Sequence, residues 1–370
     1  VDKHRAARVG QLIPSGIRRM FEIAYEREDV VNLSIGEPDF DVPDPVKQAA
    51  VEAIWSGRNR YTPTRGIPEL RERLKMKLQA EGHRAEDVLI TAGATGALLV
   101  AMLALVGPGD EVLLFDPYFV AYPNVVILAG GVPRFVSTYP DFRPNLAALE
   151  EAVSPRCKAI LLNSPNNPTG AVWTRDELLA LVDFAERHDL VIVSDEVYEL
   201  FVYDREFVSV GTLTDRALVI NAFSKSAGMT GWRLGYVSGP ADLLDDMALL
   251  QQYTHASLNS VAQFAALTAL DTPIADRVAE LRRKRDYVRK RLADAFELAP
   301  PEGAFYVFAR APGSDAAAWA ERCLQAGVLV IPGNTFSRRE THFRVSYAAS
   351  WEALEKGVSI LLSCAEVFKA

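Results

Sequence analysis

The chain is poor in cysteine. Of 370 residues only 3 are Cys, at 157, 323 and 364, odd in number and far apart. That excludes a disulfide framework and points to a reducing compartment. Long apolar runs are also missing. The longest, Ala97 to Val106, is about half of what a membrane-spanning helix needs. The opening VDKHRAARVG carries charge with no apolar stretch behind it, and it starts at Val rather than Met. It does not read as a secretory signal. A basic excess is absent too. Lys plus Arg is 40 against 48 Asp plus Glu, a formal net charge of −8, which is the reverse of a nucleic-acid footprint. The five histidines (His4, His83, His188, His255, His342) fall at no metal-ligand spacing. No GxGxxG follows a strand and no P-loop lysine is present. These absences leave a cytoplasmic soluble protein that binds neither nucleic acid nor membrane.

Hydrophobic residues make up 49% and charged residues 24%, so the chain can bury a core of ordinary size. Its length favours two domains, at roughly 100–200 residues each. Short apolar runs alternate with helical segments. They are VLIT (88–91), EVLLF (111–115), VPRFVS (132–137), AILLN (159–163), VIVSD (191–195), ALVIN (217–221) and LGYVS (234–238). Such runs predict a largely parallel sheet covered on both faces, whose ligands sit at the carboxyl ends of strands. Helices are expected near 96–106 and 176–188. From Pro273 to Phe296 a long helix is expected, followed by GAFYVF (303–308), a helix near 316–326, strands GVLVI (327–331) and HFRVSY (342–347), and a last helix after Ser350. The basic run ELRRKRDYVRKRL (280–292) keeps helical apolar spacing and reads as a solvated helix face.

The strand ends hold the chemistry. In ITAGATGALL (90–99) the backbone at Ala94 and Thr95 opens a helix and suits a phosphate. Phe119, in FDPYFVAYP (115–123), is a candidate ring to stack on a flat cofactor. NSPNNPTG (163–170) is a rigid polar loop carrying Asn167. Asp195 ends an apolar strand in SDEVYELF (194–201), a costly place for a carboxylate without a cation, and Tyr198 follows it. Lys225 lies in AFSKSAGMTGWRLGY (222–236), with Arg233 eight residues on. A sheltered lysine loses its proton more readily and attacks carbonyls. Amine, acid, phenol and amide donors, a stacking ring and phosphate ligands together are the parts of a pyridoxal 5′-phosphate site.

In this order, from about Ile13 to the C-terminus, IPSGIRRMFE, LSIGEPDF, YTPTRGIPELR, NSPNNPTG, SDEVYE, SKSAGMTGWRLGY, GAFYVF and FRVSYA resemble the class I/II aminotransferases of pyridoxal-phosphate fold type I. The resemblance implies an α/β fold with a mainly parallel seven-stranded sheet and helices on both faces. It also implies a smaller α+β domain built from both chain ends: a large domain over 41–275, and a small one from 1–40 and 276–370. It implies an aminotransferase that moves an amino group from an L-amino acid to a 2-oxo acid by a ping-pong route through a Lys225 aldimine. Lys225 then also moves the proton. Asp195 partners the pyridine nitrogen, Tyr198 and Asn167 donate to the phenolic oxygen, and Phe119 stacks on the ring. Ala94, Thr95, Ser224 and Arg233 serve the phosphate, and Tyr61 reaches it from the other subunit of a homodimer with shared sites. Arg344 binds the substrate carboxylate as a fork, near the Gly36 backbone and Asn167. Specificity is expected from Ile13 to Ile17 and around Tyr122.

One position departs from the family: Ala222 stands where a phosphate-binding serine is common. Pro117 and Pro168 fall where cis prolines are expected. The alternatives on the same scaffold are a lyase or a cyclopropane-forming synthase. A non-catalytic regulator or a nicotinamide oxidoreductase is a more distant one.

Overall fold

The computed structural model describes residues 4–14, 16–27 and 29–369. Residues 1–3, 15, 28 and 370 lie outside it, which takes in Ser15 of the expected specificity segment and parts of the expected small domain. Seven strands form the central sheet. Their order is Asp87–Thr91, Gly235–Gly239, Ala217–Ala222, Val191–Asp195, Cys157–Asn163, Glu111–Asp116 and Val132–Ser137. Only Gly235–Gly239 runs against its neighbours.

Alternation within each strand explains the two covered faces. Ala159 and Leu161 pack with Val112, Leu114 and Val193 into one core. Ile160 and Leu162 pack with Leu113, Phe115 and Ile192 into another. The helices Gly93–Leu105 and Ala241–Thr254 add buried side chains to the first core, and Arg175–Arg187 to the second.

Register aligns the carboxyl ends. Asn163 stands beside Asp195, and Asp195 beside Ile220, two residues before the end of the next strand. Lys225 follows that end within one helical turn, Phe223–Ser226. The three motif loops therefore open on one side of the sheet.

A three-stranded antiparallel sheet places His342–Ser346 between Ile331–Pro332 and Tyr306–Arg310. Val31–Asn32 pairs in parallel with Val328–Leu329. Val31 and Leu33 share a core with Leu281, Val288, Leu354 and Val358.

Two local readings change. GVLVI is not one strand: Val328–Leu329 and Ile331–Pro332 pair with different partners. The basic helix, Ala275–Leu292, is not simply solvated. Lys284 and Arg285 are buried, Lys284 bonded to Asp39 and the Ala349 carbonyl, Arg285 to Asp204. Distant acids make burial of these two cations tolerable. Both Asp116–Pro117 and Asn167–Pro168 are cis, as are Tyr139–Pro140 and Ser164–Pro165. Among the described residues no helix is long and apolar enough to cross a membrane.

Candidate active site

A cavity of about 320 Å³ lies at the carboxyl ends of the central strands. One end is built for an anion. The helix Gly93–Leu105 begins with no side-chain cap at Ala92, so its first N–H groups, Ala94 and Thr95 included, have no partner within the helix. Arg233 closes this end and donates to the Thr230 carbonyl at 2.8 Å. Gly93, at φ 70°, makes room for it, since a Cβ there would lie 2.8 Å from Arg233 Nη2. Ser224 lines the same cavity. Ala222 lines it too and brings no hydroxyl.

The floor is acidic. Asp195 accepts from Tyr122 Oη at 3.0 Å and from the Val197 amide at 3.3 Å. Burial outweighs these bonds and pushes its carboxyl up to about 6. The Asn163 side chain donates to the Asp195 carbonyl at 2.8 Å and accepts from the Asn167 amide at 2.8 Å. A cation placed on Asp195 would offset the cost of keeping it ionised.

Lys225 lines the same cavity. Its Nζ donates to the Gly36 carbonyl at 2.5 Å. Burial, with Arg344 and Arg233 nearby, pulls the ammonium down to about 8 against the opposing Glu37 and Asp195. A neutral amine is therefore accessible near neutral pH.

The opposite end is a buried guanidinium. Arg344 is 1% exposed. It donates to Asn167 Oδ1 at 2.8 Å and to the Ser34 carbonyl at 2.6 Å, while Nε has no hydrogen-bond partner among the described residues. Tyr306 and Phe336 lie against it at 4.4 and 4.5 Å. Asn167 spends its carbonyl on Arg344, which leaves its NH₂ as a donor. Tyr198 Oη lies 2.8 Å from Tyr306 Oη. Phe119 lines the wall beside Tyr122. Tyr61 alone of the expected residues stands apart, 92% exposed.

An anion cradle, a reactive amine, a buried acid and a buried guanidinium, the last two in no ion pair among the described residues, thus share one cavity. A family model described as aminotransferase class I and II matches residues 28–361. The chain belongs to this aminotransferase family. It is 40% identical to an aspartate aminotransferase of Pyrococcus abyssi, over 93% of this chain and 94% of that one. It is also 40% identical to an aspartate/prephenate aminotransferase of Thermus thermophilus, over 92% of each. The solved aspartate aminotransferase of Thermus thermophilus with maleate superposes with a TM-score of 0.94 at 38% identity, covering 97% of this chain and 99% of that chain.

The aminotransferase site also holds residues that sequence reasoning did not assign. Tyr122 was expected near the specificity elements, but its hydroxyl serves Asp195. Asn163 ties two motif loops together, and its place at the head of NSPNNPTG was a usable signal. Tyr306 sits inside GAFYVF, where nothing in the pattern separates it from a core aromatic.

Proposed function

We propose that this aminotransferase uses pyridoxal 5′-phosphate on Lys225 to move an amino group from an L-amino acid to a 2-oxo acid in a ping-pong cycle. The observation that carries this reading is Lys225 itself: an amine brought down to about 8 by burial, in one cavity with a buried acid and a buried guanidinium. When bound, the cofactor supplies a carbonyl that holds the amino group and a ring that takes up electrons from Cα.

The chain does the rest. The Gly93–Leu105 N-terminus and Arg233 hold the phosphate, with Thr95 and Ser224 as nearby hydroxyls. Asp195 would hold a proton on the ring nitrogen. Tyr198 and the Asn167 amide would donate to the ring oxygen, and Phe119 would supply an aromatic surface for the ring. Arg344 grips the substrate carboxylate, supported by its unpartnered Nε, and so turns the Cα–H toward Lys225. Lys225 Nζ takes that proton and returns it.

The working unit is a homodimer, in which Tyr61 of each copy completes the phosphate site of the other. The exposure of Tyr61, with Trp55 at 85% and Tyr253 at 81%, supports this. Each chain divides into a large unit over 41–275 and a small unit from 1–40 and 276–370. Free, buried Cys157, Cys323 and Cys364 fit a cytoplasmic setting.

Aspartate is the first donor to try, given the names of the relatives. Holoenzyme mixed with a donor alone is expected to release about one equivalent of 2-oxo acid per site and then stop. A 2-oxo acid should restart it. Continuous release of ammonia without an acceptor would sink the proposal.

Cofactor uptake supplies a second check. Below a pH of about 8 Lys225 is mostly protonated, so the rate of attachment to apoenzyme should rise about tenfold per pH unit and level off above it. A plateau reached only near the ordinary lysine value would contradict the assignment.

A further inference from the structure

We propose that Tyr306 is a positioning residue that aims the Tyr198 hydroxyl proton at the cofactor. This inference rests on the proposed pyridoxal phosphate site. Tyr306 is 0% exposed, and its hydroxyl stands 2.8 Å from that of Tyr198. Its ring meets Tyr198 edge-on at 5.7 Å and lies 4.4 Å from the Arg344 guanidinium carbon, so it cannot easily swing. Gly36 leaves the space that the hydroxyl needs, for a Cβ there would lie 2.6 Å from Tyr306 Oη.

Each phenol has one proton to donate. If Tyr198 gave its proton to Tyr306, none would remain for a ligand oxygen in the cavity. With Tyr306 as the donor, Tyr198 accepts one bond and its own proton is free to point inward. Accepting that bond also polarises Tyr198 and makes it a stronger donor. The charged groups facing the pair are Arg344, Asp195 and Glu37. All three are unchanged in the variants below.

A donor on the ring oxygen stabilises its anionic form. Weakening the donor therefore lets the bound cofactor keep its proton to higher pH. The test is the pH midpoint of the visible absorbance of cofactor-loaded protein, in wild type, Tyr306→Phe, Tyr198→Phe and the double variant. Tyr306→Phe should raise the midpoint by about 0.5–1 unit. Tyr198→Phe should raise it further, and the double variant should match Tyr198→Phe alone. A Tyr306→Phe midpoint equal to wild type overturns the proposal. So does a shift that persists undiminished without the Tyr198 hydroxyl. A wild-type protein with no titrating visible band overturns the cofactor reading, and this inference with it.

Discussion

Lys225→Ala is expected to lower transamination by about 10³-fold or more, the scale of losing a positioned acid–base group. The same change should abolish the visible band that reports attachment to the lysine. Among the described residues no other lysine lines this cavity. Lys225 Nζ is fixed on the Gly36 carbonyl at 2.5 Å and shares its cavity with Asp195 and Arg344. Its lowered affinity for protons comes first from burial and then from Arg344 and Arg233. Alanine removes the amine and leaves the anion end intact. Phosphate-dependent binding should therefore persist, measurable by calorimetry with pyridoxal phosphate. Because the side chain lines a cavity rather than a packed core, thermal stability of the apoenzyme should change little. Activity above a tenth of wild type, or an unchanged visible band, would remove Lys225 from its role.

Arg344→Lys is expected to lower kcat/KM for amino acids by about 10²–10³-fold, mainly through KM. Lysine keeps the charge but loses the planar fork. Arg344 donates to Asn167 and Ser34 and lies against two rings. Its electrostatic neighbours are the phenols Tyr306 and Tyr198 rather than a carboxylate. A buried cation in this state leaves an opening for an anion, and removing one member of a buried charged pair costs about 2–5 kcal/mol. The control is an amine donor that lacks the carboxylate. With it, wild type and variant should differ little. Equal losses with both donors would mean that Arg344 supports the fold and does not read the substrate.

The chemistry of this site was legible where it depends on short stretches of chain. Asp195 ends a continuous apolar strand, Asn167 lies in the rigid loop that follows another, and Lys225 follows the end of a third. Strand periodicity and turn residues suffice to place all three at one edge of a parallel sheet. Contacts between distant segments were not legible. Tyr122 meets Asp195 across 73 positions, and Tyr198 meets Tyr306 across 108. The same holds for the basic helix. Its spacing predicted a solvated face, yet Lys284 reaches Asp39 across 245 positions.

The amino-acid sequence by itself determined the alternation of strands and helices, the junctions that carry the chemistry and the order of the family motifs. Each rests on local preference: period-two burial along strands, restricted turns, and helix starts left uncapped. Tertiary structure decided which side chains share a proton, which cations are buried with a partner, and which way each amide faces. Those depend on how the sheet order and the two chain ends bring remote residues within hydrogen-bond distance. Asn167 shows the division. Its motif placed it in the cavity, but only the arrival of Arg344 at its carbonyl left its NH₂ free to donate.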